Sequence, residues 1–305
     1  MNLIDIENQA GICRVTAGWK KPELPWEWVR RYWRDVHSPA ISRRKGIYQY
    51  IHLQYDPVDA SVFGQIEGIS TSAPANAQLM WTSDVRYRDD AALAAFGGDP
   101  DEVAKAQLLG DIDLIVERST TYKCVGDRAR TYVDITGNAT PQGVPAMPAY
   151  SIFLRQKTNE ASFFAALRAL AERWMKVPGV MRLRLSLCEP PDMEAERKAG
   201  YPIKTHPIEQ QYQAWIELWA TDRSVMQRLL TREDADAIMD AHAYPIIAYH
   251  CFVYQGRPTL AGLRGYPAVE AIQALGNNPK QKKIEILRWM YGEVVGEGPV
   301  DGVLS

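Results

Sequence analysis

The sequence predicts an α+β fold: two tandem β-α-β-β-α-β units whose antiparallel sheets pack face to face into a barrel, followed by a helical tail. Three observations predict it. Strand patterns of period two and helix patterns of three- and four-residue steps alternate twice, in the same order, along the 305 residues. A Gly- and Pro-rich stretch from Thr136 to Pro148 separates the two runs. The repeat, roughly 140 residues, is too long for a solenoid and fits a unit that makes one four-stranded sheet with helices on one face. The bare face of each sheet needs a cover, which the other unit supplies. The division that follows is 1–135 for the first unit, 136–149 for a linker, 150–256 for the second unit and 257–305 for a helical extension.

In the first unit, Ile12 to Gly18 reads as a strand ending in a turn at Lys20-Lys21-Pro22. A helix follows from Pro25 to Val36, because Pro suits a first turn and Trp26, Val29, Trp33 and Val36 fall on one face. Ile47 to Tyr55 alternates and is β-rich, and Gln78 to Tyr87 makes a third strand. Helical runs near Asp90 to Phe96 and Asp101 to Leu109 precede a strand from Glu117 to Val125. In the second unit, Tyr150 to Gln156 is a strand and Asn159 caps a helix striped by Phe163, Phe164, Leu167, Leu170 and Trp174. Val180 to Cys188 and Gln211 to Trp219 are strands, Asp222 to Leu230 and Glu233 to Asp240 are helical, and Ile246 to Tyr254 closes the unit. Two amphipathic helices, Ala268 to Leu275 and Gln281 to Met290, complete the tail.

Composition narrows the function. A formal net charge of -2 gives no electrostatic footprint for nucleic acid or an anionic membrane surface. No stretch approaches the length of a membrane span, and the first residues lack a secretory pattern, so a cytoplasmic location is expected. The four cysteines, Cys13, Cys124, Cys188 and Cys251, show no C-x-x-C spacing and read as buried thiols. The aromatic content, Trp 9 and Tyr 15 against Phe 6, favours side chains with a polar handle, which suit ligand pockets and interfaces.

Trp19-Lys20-Lys21-Pro22, leading into Tyr32-Trp33-Arg34-Asp35-Val36-His37-Ser38-Pro39, resembles the strand-helix opening of EthD-type proteins of the dimeric α/β-barrel superfamily. The resemblance is dense over residues 12–56 and continues, as order of elements, to about residue 255. It implies tandem ferredoxin-like units enclosing a barrel that binds a small, often aromatic molecule. Relatives of this kind include cofactor-free isomerases, cyclases, dehydratases, decarboxylases and monooxygenases, beside accessory proteins without chemistry. His37 alone falls on the family's helix-end histidine. Leu24 stands where a capping Ser or Thr is usual. The second unit's helix ends Trp174-Met-Lys-Val-Pro178 with no histidine, which places the working site in the first half.

Alternation along Ile47 to Tyr55 puts Tyr48, Tyr50, His52 and Gln54 on one face, expected to line the barrel, and Ile51 and Leu53 under the helices. His37 would lie near the start of that strand, so the expected catalytic set is His37, His52, Tyr48 and Tyr50, with histidine moving a proton and a phenol holding an oxyanion. Arg14, Gln54, Arg182, Arg184, Trp215 and Trp219 are the expected substrate contacts. Arg182, Arg184 and Ser186 alternate with Leu183, Leu185 and Leu187, and Glu217 is the natural partner for a buried guanidinium. Asp35 is expected to pair with Arg31 or else to orient His37. Asp240, His242 and His250 match no standard metal spacing, His206 lies in a Pro-rich loop, and no metal is expected. Gly262-Leu-Arg-Gly265 and Gly97-Gly98 fit neither phosphate-binding motif, and the Lys280 to Lys283 run reads as a solvated face. The expected activity is a cofactor-independent lyase acting on a hydrophobic, aromatic small molecule. An isomerase, cyclase or cofactor-free monooxygenase uses the same parts, and a non-catalytic ligand-binding protein is the alternative. Exposed tail helices leave a homodimer open.

Overall fold

The computed structural model describes residues 3–98, 102–192, 194, 210–274 and 283–292. A short helix α1 (Leu3–Glu7) precedes the first unit. That unit comprises β1 (Ile12–Lys20), α2 (Trp26–Tyr32), α3 (Ser38–Ser42), β2 (Gln49–Tyr55), β3 (Trp81–Tyr87), α4 (Asp90–Gly98), α5 (Glu102–Ile115) and β4 (Val116–Val125). β5 (Ala129–Asp134) and β6 (Gln142–Gly143) lie between the units. The second unit comprises β7 (Ala149–Gln156), α6 (Glu160–Trp174), β8 (Val180–Leu187), β9 (Ala214–Ala220), α7 (Arg223–Met226) and β10 (Ile238–Tyr254). β11 (Arg257–Pro258), α8 (Leu260–Arg264), α9 (Tyr266–Ala274) and α10 (Ile284–Tyr291) follow. His206, and the part of the tail run at Lys280 to Lys282, lie outside the described residues.

The strand order is β4-β1-β3-β2-β10-β7-β9-β8-β5. Its first four strands and the next four show the same order, fourth-first-third-second, which is the ferredoxin-like arrangement repeated. The last strand of each unit runs on into the other unit. β10 pairs with β7 through its first half and with β2 through its second. β4 continues through a 3-10 turn at Gly126–Arg128 into β5, which pairs with β8. An isolated Lys123↔Glu189 bridge stitches the same seam. The two ends of the sheet path are thus one continuous piece of chain, and the sheet closes into a barrel.

β10 is far longer than the Ile246 to Tyr254 segment expected, and the helix expected over Glu233 to Asp240 is only a 3-10 turn at Arg232–Asp236. Pro245 lies at the crossing point, opposite Tyr150 on β7, while its carbonyl accepts from Asp56 N next to β2. A proline fits there because it lacks the N–H a continuing ladder would require.

Side-chain alternation builds two kinds of core. Inside the barrel, Cys13, Val15, Ala17, Leu53, Tyr55, Tyr122, Phe153, Trp215, Trp219, Tyr244 and Tyr249 pack together. Outside the second sheet, Phe163, Leu167, Leu170 and Trp174 of α6 cover Ile152, Leu154, Leu183, Leu185, Ile216 and Leu218. The Asn159 side chain accepts from Ser162 N, as its capping role requires. The corresponding layer outside the first sheet is different in kind.

Candidate active site

β2 faces the opposite way from the expectation. Ile51, Leu53 and Tyr55 join the barrel interior. Tyr50, His52 and Gln54 lie beneath the helices: the Tyr50 hydroxyl donates to Ser38 Oγ at 2.8 Å, and Gln54 Nε2 donates to the Arg30 carbonyl at 3.0 Å. Polarity misleads here because both faces of this sheet carry buried polar groups: Tyr50, His52 and Gln54 under the helices, Asp84 and Arg86 in the barrel.

His37 ends a π-helical turn, Trp33–His37, in which Ser38 N reaches back five residues to the Trp33 carbonyl. Pro39 explains the wide turn, since it has no N–H for the Asp35 carbonyl and its ring would crowd that group. The turn stacks the His37 ring on Trp33, centroids 4.1 Å apart, and directs its Nδ1 to Asp111 Oδ2 at 3.2 Å. Asp111, from α5, also accepts from the Tyr32 hydroxyl at 2.6 Å. Burial raises the Asp111 carboxyl, but the hydrogen bonds from His37 and Tyr32 outweigh it and leave the group below the ordinary carboxylate range. An ionised Asp111 only accepts, so His37 presents Nδ1–H to it, and in the neutral imidazole the lone pair is then on Nε2. Asp35 plays no part in this: it pairs with Arg34 at 2.6 Å, and not with Arg31.

His52 sits opposite His250 across the β2–β10 ladder, rings parallel within 13° and 6.4 Å apart. Both residues are 0% exposed. Burial, together with His37 and Arg34, holds His52 down to about 3. Burial, with His52 and Arg34, holds His250 well below the ordinary value. Gln54 Nε2 lies 3.3 Å from His52 Nε2. The amide donates to that nitrogen, which puts the His52 proton on Nδ1, and Nδ1 has no hydrogen-bond partner among the described residues. Neither ring nitrogen of His250 has one. Trp33, Trp81, Tyr50, Phe252 and Tyr266 supply aromatic surface around the three histidines, with Tyr266 of α9 edge-on to His250 at 4.4 Å. Tyr50 is pushed up to about 12 by burial, against its hydrogen bonding with Ser38 and Ser83, so it is a neutral phenol that donates to Ser38.

The remaining expected residues lie elsewhere. Tyr48, just ahead of β2, reaches the Ile6 carbonyl at 3.0 Å and holds α1 against the barrel end. Arg14 alternates with Cys13 and Val15, lies half-buried on the outer face, and is two strands from β2. Arg182, Arg184, Trp215 and Trp219 face into the barrel, where Arg182 Nε donates to Glu217 Oε1 at 2.7 Å. His37, His52, Tyr50 and Gln54 therefore come together, and the arginines and tryptophans form a second group on the other side of the sheet. Asp240 and His242 point into the barrel, pairing with Arg155 and with Tyr212 (2.9 Å) respectively, while His250 points out. Asp111, Arg34 and His250 join the His37–His52 group in the structure, and sequence reasoning missed them or set them aside.

No family model and no curated protein matches the sequence. Among solved structures, an anthrone oxidase-like protein aligns with TM-score 0.45 and 8% identity over 79% of this chain and 92% of that one. A proposed monooxygenase of Fusobacterium nucleatum aligns with TM-score 0.42 and 10% identity over 82% and 97%. A heme-bound DypB variant of Rhodococcus jostii aligns with TM-score 0.38 and 10% identity over 78% and 93%. Likeness at this level carries no information about chemistry, and the fold stands on the strand order described above. No helix among the described residues is long and apolar enough to cross a membrane.

Proposed function

We propose that the chain is an enzyme that moves a proton on a small, largely apolar molecule held between the outer face of the first sheet and helices α2 and α3. The observation that carries this reading is the pairing of His37, whose Nδ1 is fixed on Asp111, with a neutral His52 whose Nδ1–H has no partner among the described residues. The contrast between the two units supports it. The equivalent layer of the second unit is filled by Leu, Ile, Phe and Trp, whereas the first unit sets His37, His52, His250 and Gln54 among its apolar side chains.

In this reading His37 Nε2 removes a proton from carbon next to a carbonyl, and the electron pair moves onto the carbonyl oxygen. His52 Nδ1–H donates to that developing oxyanion, a role that needs a neutral imidazole as donor. The His37 imidazolium then returns the proton to a departing hydroxyl or to carbon. The first outcome is a dehydration, hence a lyase; the second is an isomerisation. Aromatic walls favour an aromatic substrate. These steps use side chains alone. Tyr50 positions Ser38 and is not the oxyanion donor, and Gln54 orients His52.

The test is turnover of β-hydroxycarbonyl and phenolic candidates by the purified protein. His37→Ala is expected to lower kcat by about 10²–10⁴, the range of a general base. His52→Phe, which keeps the packing, is expected to lower kcat with little change in KM. Full activity in both variants would sink the assignment.

A further inference from the structure

Arg184 and Ser186 of β8 stand directly across the ladder from Glu217 and Trp215 of β9, and all four face into the barrel at 1% exposure or less. Each has a buried polar atom without a hydrogen-bond partner among the described residues: Arg184 Nε, Ser186 Oγ, Trp215 Nε1 and Glu217 Oε2. Asp84 of β3, in the opposite half of the barrel and 0% exposed, adds a fifth in Oδ1. Protein interiors rarely leave one such group unmet, and five in one interior is a cluster. The opposed charges do not pair with each other. Glu217 uses Oε1 for Arg182 Nε and Trp219 Nε1, at 2.7 and 2.9 Å. Arg184 contacts Thr131 Oγ1 and Cys13 Sγ, and its nearest carboxylate is Glu7 at 3.9 Å.

We infer that the barrel interior holds a second ligand site, independent of the histidine site, for a small aromatic zwitterion. Its carboxylate meets Arg184 Nε and Trp215 Nε1, its ammonium meets Glu217 Oε2 and Asp84 Oδ1, and its ring lies among Phe153, Trp219 and Tyr249. Ser186 Oγ bridges the two ends, being both donor and acceptor. Formal charge selects the class. The interior holds Arg86, Arg182 and Arg184 against Glu7, Asp84, Asp134 and Glu217, a surplus of one negative charge that disfavours a simple anion. Donors and acceptors on adjacent strands also disfavour a simple cation, which would leave the guanidinium and indole N–H unmet.

The experiment is thermal unfolding of the full chain with three probes: L-phenylalanine, 3-phenylpropanoate, which lacks the ammonium, and phenethylamine, which lacks the carboxylate. L-phenylalanine is expected to raise Tm in a saturable manner, by about 5 °C at a hundredfold excess over Kd, and the other two to have little effect. Ser186→Ala removes only an unpartnered hydroxyl and should fold with unchanged or higher Tm, Trp215→Phe removes the unpartnered N–H at the cost of some ring packing, and both should bind the probe about tenfold more weakly. No shift with L-phenylalanine, equal shifts with all three probes, or undiminished binding in both variants would each overturn the inference.

Discussion

His52 and His250 are buried as neutral imidazoles, and that state has a measurable consequence. In the folded chain His52 is held to about 3, against 6.5 for the free group, and His250 and His242 are also held low by burial. As pH falls below 6.5 the unfolded chain takes up these protons first, so stability is full above that value and declines towards the folded-state values. Between pH 6.5 and 4.5 the carboxylates remain largely ionised, and a histidine that stays neutral in the fold, as His52 and His250 do, contributes a slope that approaches about 1.4 kcal/mol per pH unit. Urea unfolding of His250→Phe across that window should show a shallower pH dependence than the parent by about this amount, and equal slopes would argue against a neutral buried His250. Asp111 acts through His37. Asp111→Asn leaves the contact but permits the other tautomer, so kcat should fall about 10–100-fold with KM nearly unchanged and with a displaced pH profile. A kcat that stays at the parent value would remove Asp111 from the mechanism. The motif marks His37 as a candidate, and strand alternation marks His52 but assigns it to the wrong face. Nothing marks Asp111: it lies 74 residues from His37, and no local spacing announces a contact made by packing α5 against α2.

At the scale of elements, periodicity located most strands within a few residues but gave the wrong inward face for β2. Alternation determines which residues share a face and is silent on which face is covered by what. The arginines of β8 were oriented correctly because leucines alternate with them and α6 is apolar. On β2 the helix-covered side is itself polar, and the same rule inverted the result. The site depends on a short stack of elements that the sequence did not suggest. A Cβ on Gly18 of β1 would fall 2.2 Å from the Trp81 ring, and Trp81 packs on Trp33 at 4.7 Å, the ring that in turn stacks on His37. Gly18→Ala must push this stack towards the helices. Overpacking of this kind costs about 1–3 kcal/mol, readable as a lower urea midpoint, and it should reduce kcat as well because His37 moves with Trp33. A variant with parent stability would mean that β1 yields instead of the stack.

At the scale of the whole molecule, the two units are bound by backbone ladders, by α1 and by the interior ion network. β10 belongs to both sheets, β5 is a first-half strand paired to β8, and Glu7 of α1 reaches Arg182 at 2.6 Å across the barrel. Arg182 itself joins Glu7, Asp134 and Glu217, which come from α1, β5 and β9. Separating the halves would leave the β2 and β8 edges unpaired, expose the aromatic interior, and leave Arg182 without two of its three carboxylates. Loss of one partner from a buried ion pair alone costs about 3–5 kcal/mol, a large fraction of the stability of an ordinary domain. Neither 1–148 nor 149–305 should therefore unfold cooperatively when made alone, since exposed edges and apolar faces favour aggregation. Co-expressed, the two fragments should assemble one-to-one, give a single unfolding transition, and recover both the histidine-dependent turnover and the response to L-phenylalanine. Size-exclusion chromatography and circular dichroism read the outcome. A first-half fragment that folds cooperatively by itself would mean that the outer histidine layer is stabilised locally, and that the long fourth strands join two finished domains.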